Sequence, residues 1–382
     1  MGEFSRRDML GAAAAGGMVA AATSTETFGQ GQPPFGPTPA PLAGAELPSF
    51  RFRLGAVAPK SWDGGWAKEA TVVDFPVSQA IAGVLMSLVP GGLRELHWHA
   101  NAAEWAYVIK GQCRVTTINP QGQSQIVDFN AGDVWYFPRG FGHSIQGIGS
   151  EDCLFVLVFD NGYFSEFGTF SDWVGHTPPE VLAKYFGVPA STFANFPKRE
   201  VYIAKGPVPP PLPANPAPGS LDRGPLTHRY QLLAQRPDTY SGGTNRLVSQ
   251  RQFPISTTVT GALMQIKAGG LREPHWHPNA DEWQYYISGR ARMSVFGSHG
   301  RVRTEEFNAG DVGYVPQGYG HYIENIGNED VELLIALNNG TYESISLADW
   351  IGANPHLLLA TNFEVPENTF KDFQTRNRFL VG

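Results

Sequence analysis

The nine residues "HWHANAAEW", His97 to Trp105, return as "HWHPNADEW", His275 to Trp283, 178 positions later. Two histidines one residue apart point to the same side of an extended strand. Each pair is followed by a glutamate, Glu104 or Glu282, and later by another histidine after a Pro-x-Gly turn, His143 in "PRGFGH" and His321 in "PQGYGH". His97, His99, Glu104 and His143 thus form one set, and His275, His277, Glu282 and His321 a second. Three imidazoles and one carboxylate, with no thiolate, suit Mn, Fe, Co or Ni better than a closed structural zinc. Octahedral coordination would leave room for a bidentate small ligand, or for one ligand plus O2. Six of the ten histidines fall on matched positions of this pattern. Buried without a metal they would be costly, unpaired polar groups.

The elements that must position these residues are also repeated. The same offset carries Gly91 to Gly269, Arg94 to Arg272, Gly111 to Gly289, Asp133 to Asp311 and Pro138 to Pro316, with no gap from Gly91 to Gly149. Equal spacing means equal strand and turn lengths, so one fold has been duplicated. A length of 382 residues agrees with two domains. Between the motifs run "EWAYVIKGQCRVTTI", "QIVDFNAGDVWYFP" and "CLFVLVFDNG", short stretches rich in β-branched and aromatic residues and broken by turn signals. They leave no room for crossover helices, so the strands are predicted antiparallel, in a sandwich or small barrel. Each half closes with a helix. In "TPPEVLAKYFGV", Thr177 is the expected N-cap and Glu180 completes a capping box. The segment 205–220 holds seven prolines in sixteen residues and divides the halves as a stiff linker.

Composition narrows the class. Apolar residues make up 42% and charged residues 16%, with nine Trp and 24 Phe, enough to bury sizeable cores. The net charge of −7 and the lack of a basic run exclude nucleic acid as a natural partner. Two cysteines exclude a disulfide framework and a Cys-rich zinc site. Cys113 and Cys153 map onto Ala291 and Val331, which points to buried apolar positions. At the N-terminus, "SRRDML" before "GAAAAGGMVAAATS" resembles a twin-arginine export signal over residues 1–24, with Met9 and Gly11 departing from its usual pattern. The apolar run is too short and weak for a membrane span. A Pro- and Gly-rich tether, 25–47, follows. The expectation is a protein exported, folded, to the periplasm or the exterior. Assembly into a homo-oligomer is left open.

The family becomes identifiable from two motifs. "GGLRELHWHANAAEWAYVIKG" and "GGLREPHWHPNADEWQYYISG" match the first cupin motif, and "GDVWYFPRGFGH" and "GDVGYVPQGYGH" match the second. The second half ends its motif on Asn325, where the first has Gly147. The chain resembles the two-domain cupins, most closely the bacterial and fungal oxalate decarboxylases, from about residue 48 onward. The resemblance implies an all-β architecture of two tandem jelly-roll (double-stranded β-helix) barrels with short flanking helices, over 48–204 and 221–382. It implies Mn2+ in each barrel, two per chain, O2 as a cofactor-like oxidant, and oxalate as the substrate. The implied reaction is redox-assisted cleavage of oxalate to formate and CO2.

Further residues bear on that reaction. Arg94 and Arg272 each stand three residues before the first histidine, and a guanidinium there can bind a carboxylate held by the metal. Their parity is opposite to that of the histidines, so the strand needs a twist or bulge to bring them to the site. The halves diverge after Gly162, and likeness resumes at Asp172-Trp173 and Asp349-Trp350. "SEFGT", Ser165 to Thr169, is peculiar to the first half and is a candidate lid. Oxalate decarboxylases carry a similar lid whose Glu is the proton donor, and Glu166 matches it. Some relatives carry a glutamate on the last barrel strand of the second half, where this chain has Ile335. Both halves are thus expected to bind metal and the first to do the chemistry. An oxalate oxidase, or a metal-binding or storage protein without turnover, are the alternatives on the same scaffold.

Overall fold

The computed structural model describes residues 46–164, 167–213 and 227–382. The expected export signal (1–24), nearly all of the tether (25–47), the later part of the linker and Glu166 lie outside the described residues. Strands dominate what remains, and every strand pairing is antiparallel. In the first barrel one sheet runs Arg229–Gln231, Asp133–Phe137, Glu104–Lys110, Cys153–Phe159, Ala82–Leu88, Gly65–Ala70, Lys60–Trp62. The facing sheet runs Phe167–Thr169, Gly92–His99, Gly142–Gly147, Gln112–Ile118, Ser124–Asn130, with Ile203–Lys205 also paired to Gly92–His99. The second barrel repeats both sheets. No helix among the described residues is long and apolar enough to cross a membrane.

The barrels exchange their first strands. Arg51–Phe52 pairs with Val312–Val315 of the second barrel, while Arg229–Gln231 pairs with Asp133–Phe137 of the first. Residues 51–52, grouped by sequence with the first domain, therefore belong to the sheet of the second, and 229–231 to that of the first. Leu47 and Phe50 are buried in the second barrel's core, and Glu305 accepts from Ser49 Oγ and Phe50 N–H at 2.8 and 2.7 Å. The linker boundaries are thus not the barrel boundaries, because each arm satisfies an open sheet edge on the opposite barrel.

Strand periodicity sorts the side chains into three cores. Along Glu104–Lys110, Ala106 and Val108 face the interior of their own barrel, while Trp105 and Tyr107 face the other barrel. Tyr286 and Trp283 divide in the same way on Glu282–Ser288. Burial on both faces makes these strands continuously apolar rather than alternating. The core between the barrels joins Trp105, Tyr107 and Tyr136 to Trp283, Tyr285 and Tyr314. Two glycines make the closest fits. A Cβ at Gly83 would overlap the ring of Trp283, and one at Gly261 would overlap the ring of Trp105.

Each half closes with two short helices, Phe170–His176 and Pro179–Phe186, then Leu347–Gly352 and His356–Phe363. The expected capping box is not formed. Thr177 instead ends the preceding helix: its N–H and its Oγ1 both donate to Trp173 O, at 3.1 and 2.8 Å. Pro178 is then the N-cap, with no side-chain bond.

Gly261→Ala should lower the thermal midpoint, at a cost of about 1–3 kcal/mol for overpacking against Trp105. Combining it with Trp105→Leu should cost less than the two single changes added together. Strict additivity in equilibrium unfolding would show that ring and glycine do not share this contact.

Candidate metal centres

The ligand strand, the turn after it and the returning strand place four side chains of each half at one point. His97 and His143 stand opposite each other in register on Gly92–His99 and Gly142–Gly147. The ligand atoms of His97, His99, Glu104 and His143 all lie within 4.8 Å of one another, and so do those of His275, His277, Glu282 and His321. All eight residues are buried.

Backbone carbonyls fix the imidazoles. Nδ1–H of His97 donates to Glu95 O at 2.6 Å, and that of His143 to Phe141 O at 2.9 Å. In the second barrel His275, His277 and His321 donate to Glu273 O, Glu343 O and Tyr319 O at 2.7, 2.6 and 3.1 Å. A nitrogen that donates leaves the other with its lone pair free, and that Nε2 faces the cluster. Nε2 of His143 and of His321 are buried and make no well-formed hydrogen bond among the described residues, although they stand 3.3 and 3.4 Å from Oε2 of Glu104 and Glu282. Orphaned lone pairs converging on a carboxylate are what a divalent cation satisfies, so the residues present fit a metal ion.

The electrostatics agree. Burial, then the Arg94 charge, holds His97 well below the usual imidazole range, and burial with Arg272 does the same for His275. Burial also lowers His99 to about 4, against the opposing pull of Glu104. For Glu104 and Glu282 burial acts upward, but the facing imidazoles outweigh it and hold both carboxyls well below the ordinary carboxylate range. Neutral imidazoles and an ionised carboxylate are the protonation states that bind metal.

Each glutamate is held by its second oxygen, and here the halves differ. Glu104 Oε1 accepts from Trp135 Nε1–H at 2.8 Å. Glu282 Oε1 accepts from Gln284 Nε2–H at 2.7 Å, and Gln284 Oε1 in turn accepts from the Tyr286 hydroxyl at 2.8 Å. Trp135 pairs in register with Ala106, and Gly313 with Gln284. The large partner has changed strands, and a Cβ at Gly313 would come within 2.5 Å of Gln284 Oε1.

The arginines reach the sites through the irregularity their parity requires. Three residues, Arg94 to His97, span two on the opposing strand, His143 to Ile145, and Arg272 to His275 against His321 to Ile323 does the same. Arg94 is 3% exposed, its guanidinium 3.8 Å over the Tyr202 ring and its Nη1 donating to Tyr202 O at 3.3 Å. Arg272 lies 3.9 Å over Phe379 and donates to Glu273 Oε1 and the Tyr342 hydroxyl at 3.2 and 3.3 Å. Ile335 lines the second cavity, in which Glu282 is the sole carboxylate among the described lining residues.

Of the candidate lid, three of five residues are a strand: Phe167, Gly168 and Thr169 pair with His99, Trp98 and His97. Ile345–Ser346 does the same in the second barrel, so likeness resumes at Gly168 and Ile345, ahead of the Asp-Trp pairs. Glu95, not singled out by sequence, fastens this region. Its carboxylate accepts from Tyr202, Val201 and Ser171 N–H at 2.6, 3.0 and 3.1 Å. The signal for it was present: Glu95 and Glu273 are matched residues of the two "GGLRE" copies. Tyr202, Phe379 and Tyr342 lie beyond the ungapped match and gave none.

Comparison with known proteins places the chain. The cupin family model matches residues 58–192 and again 230–371. An oxalate decarboxylase of Bacillus subtilis is 44% identical over 320 residues, 83% of this chain and 82% of that protein. A probable oxalate decarboxylase of Arthroderma benhamiae is 33% identical, over 88% of this chain and 84% of the other. The structure of the Bacillus subtilis enzyme at pH 4.6 superposes with a TM-score of 0.82 at 40% identity, over 88% of each chain. With both barrels matched and both relatives covered over most of their length, the chain belongs to the cupins and, within them, to the two-domain oxalate decarboxylase family.

Proposed function

We propose that this chain cleaves oxalate to formate and CO2 at the first metal group, with Mn2+ in each barrel and O2 as a cofactor-like oxidant. The observation that carries the reading is the pair of buried three-histidine, one-glutamate groups on a chain 44% identical to an oxalate decarboxylase. The Bacillus subtilis enzyme has Mn(II) centres, and nitrogen and oxygen donors without thiolate suit that ion here. When bound, manganese with O2 supplies the one-electron chemistry that loosens the C–C bond.

The remaining work falls to the chain. Singly protonated oxalate, HO2C–CO2−, becomes HCO2− and CO2, so one proton must pass from oxygen to carbon. Arg94 is buried, fixed by Tyr202, and brings positive charge beside His97 of the metal group, where it can hold a carboxylate and stabilise charge as it relocates. Phe159 and Phe164 stack beside His99, their ring centroids 4.2 Å apart, and keep water from that side. Glu166 is the proposed proton donor. It lies outside the described residues, and the strand that follows it pairs with the ligand strand. The second barrel has matching ligands and an arginine but, among the described residues, no acid besides Glu282 lining its cavity, which supports turnover at the first site alone. Export by the twin-arginine route rests on Arg6 and Arg7 before the apolar run, and would let manganese load before Cu and Zn compete for the site.

Four outcomes follow. Glu166→Ala should cut formate production by about 10²–10⁴-fold while metal content holds, and residual turnover should lean to H2O2. Undiminished formate from that variant in NMR product analysis would remove Glu166 from the mechanism. His97→Ala and His275→Ala should each lose one of two bound metal ions by elemental analysis. For the metal-free protein the sign is set by His99, held neutral down to about 4. Between about 6.5 and that value the unfolded chain binds a proton the folded one refuses. Its stability should be complete above about pH 6.5 and fall as the pH drops toward 4; a flat midpoint over that window would contradict this protonation state. Replacing Arg6 and Arg7 by Lys should retain the protein in the cytoplasm, and equal export of both forms would dismiss the signal.

A further inference from the structure

The two arms that the barrels exchange differ in chemistry at one buried position. His228 directly precedes the arm strand Arg229–Gln231, and the residue 178 positions earlier, just before Arg51–Phe52, is Phe50. Both are buried, and their carbonyls accept matched backbone hydrogen bonds, from Tyr136 N–H at 3.3 Å and from Tyr314 N–H at 3.0 Å. Phe50 shares an apolar cluster with Val315 and Tyr319. The first barrel puts an ionisable imidazole in the same place, and no step of the decarboxylation uses it.

His228 is tied to the first barrel by polar and ring contacts. Its N–H donates to Gln125 Oε1 at 2.9 Å, and its Nδ1–H to Tyr136 O at 2.8 Å. Its ring centroid lies 5.9 Å from those of both Phe137 and Phe141. These two residues in turn hold the ligand His143. The Phe137 ring stacks on that imidazole at 4.3 Å and 28°, and Phe141 O accepts its Nδ1–H at 2.9 Å. Gln125 reaches the same ligand through the sheet, standing opposite Thr117, which stands opposite His143. One arm residue thus bears on one metal ligand by three routes.

We propose that His228 is a positioning residue for the first metal centre: it clamps Phe137 and Phe141 against His143, so that metal retention in the first barrel, unlike the second, responds to the protonation of the exchanged arm. The inference rests on reading the first group as a metal site, and is independent of what that site turns over.

The surroundings of His228 set the sign. Burial holds its imidazole below the usual range, against the pull of the Tyr136 carbonyl and with a smaller push from the charge of His143. The other ionisable groups on the packed elements are turned elsewhere. Asp128 pairs with Arg114, Asp133 accepts from Asn130 N–H, Arg229 donates to Asp128 O, the Tyr136 hydroxyl meets Thr258, and Arg139 is exposed. Undocked, His228 takes a proton below about pH 6.5; docked, it resists that proton. Docking is therefore complete above that pH and weakens as the pH falls.

The test titrates Mn2+ calorimetrically into the metal-free full chain. A His275→Ala background isolates the first site and a His97→Ala background the second. At about pH 7.5, His228→Ala should weaken Mn2+ at the first site about tenfold, the usual worth of a group that orients a ligand, and change the second less than about twofold. His228→Phe copies the residue of the second barrel and should bring the first site back to within about threefold of wild type. On acidification to about pH 5.5 every form loses affinity as its ligand histidines take protons, but wild type should lose about threefold more than His228→Phe. An unchanged first site in His228→Ala, equal losses at both sites, or parallel pH curves for wild type and His228→Phe would overturn the role of His228 while leaving the metal reading intact. Failure of Mn2+ to bind in either background would overturn the metal reading and this inference with it.

Discussion

An ionised carboxylate buried away from water must have both oxygens satisfied, and each barrel is arranged to meet that demand. Desolvating such a group costs several kcal/mol unless opposite charge and hydrogen bonds replace the water. Glu104 and Glu282 turn one oxygen to the histidine cluster, where a bound cation would satisfy it, and give the other to an N–H donor, from Trp135 in one barrel and Gln284 in the other. Because side chains alternate along a strand, the residue after each glutamate must point the opposite way. Those residues are Trp105 and Trp283, and they fill the core between the barrels. One strand therefore carries a metal ligand on one face and an inter-barrel anchor on the other, and the two sites cannot move independently of the interface.

The ligands were legible because strand geometry converts spacing directly into direction. His97 and His99 share a face by period two, and equal turn lengths made the second set visible through the offset of 178. The bulge that brings Arg94 and Arg272 to the cavity was also implied, since nothing else reconciles their parity with that of the histidines. The exchanged arms were not legible. Strands of two or three residues carry no register signal, and which barrel they join depends on an edge far away in sequence. The helix start at Thr177 was misread for a related reason. A threonine before two prolines looks like an N-cap, but the helix ending at His176 uses it first.

Divergence between the repeats follows a physical pattern. Where a large group changes strand, its neighbour in register changes size to match, as Ala106 and Trp135 do against Gln284 and Gly313. Such an exchange conserves volume and keeps the carboxylate satisfied, so packing alone accounts for it. Sequence comparison of the halves would score both positions as unrelated, although together they perform one task.

The change from Ala67 to Asn245 has no such compensation. It adds a polar atom that no neighbour among the described residues satisfies. A packing swap leaves stability roughly where it was, whereas an orphaned acceptor lowers it. Two copies of one fold can thus part company in two ways, one that conserves volume and hydrogen bonds and one that does not. The duplication supplies two equivalent metal groups, and the side chains one shell further out determine what each can do with a carboxylate.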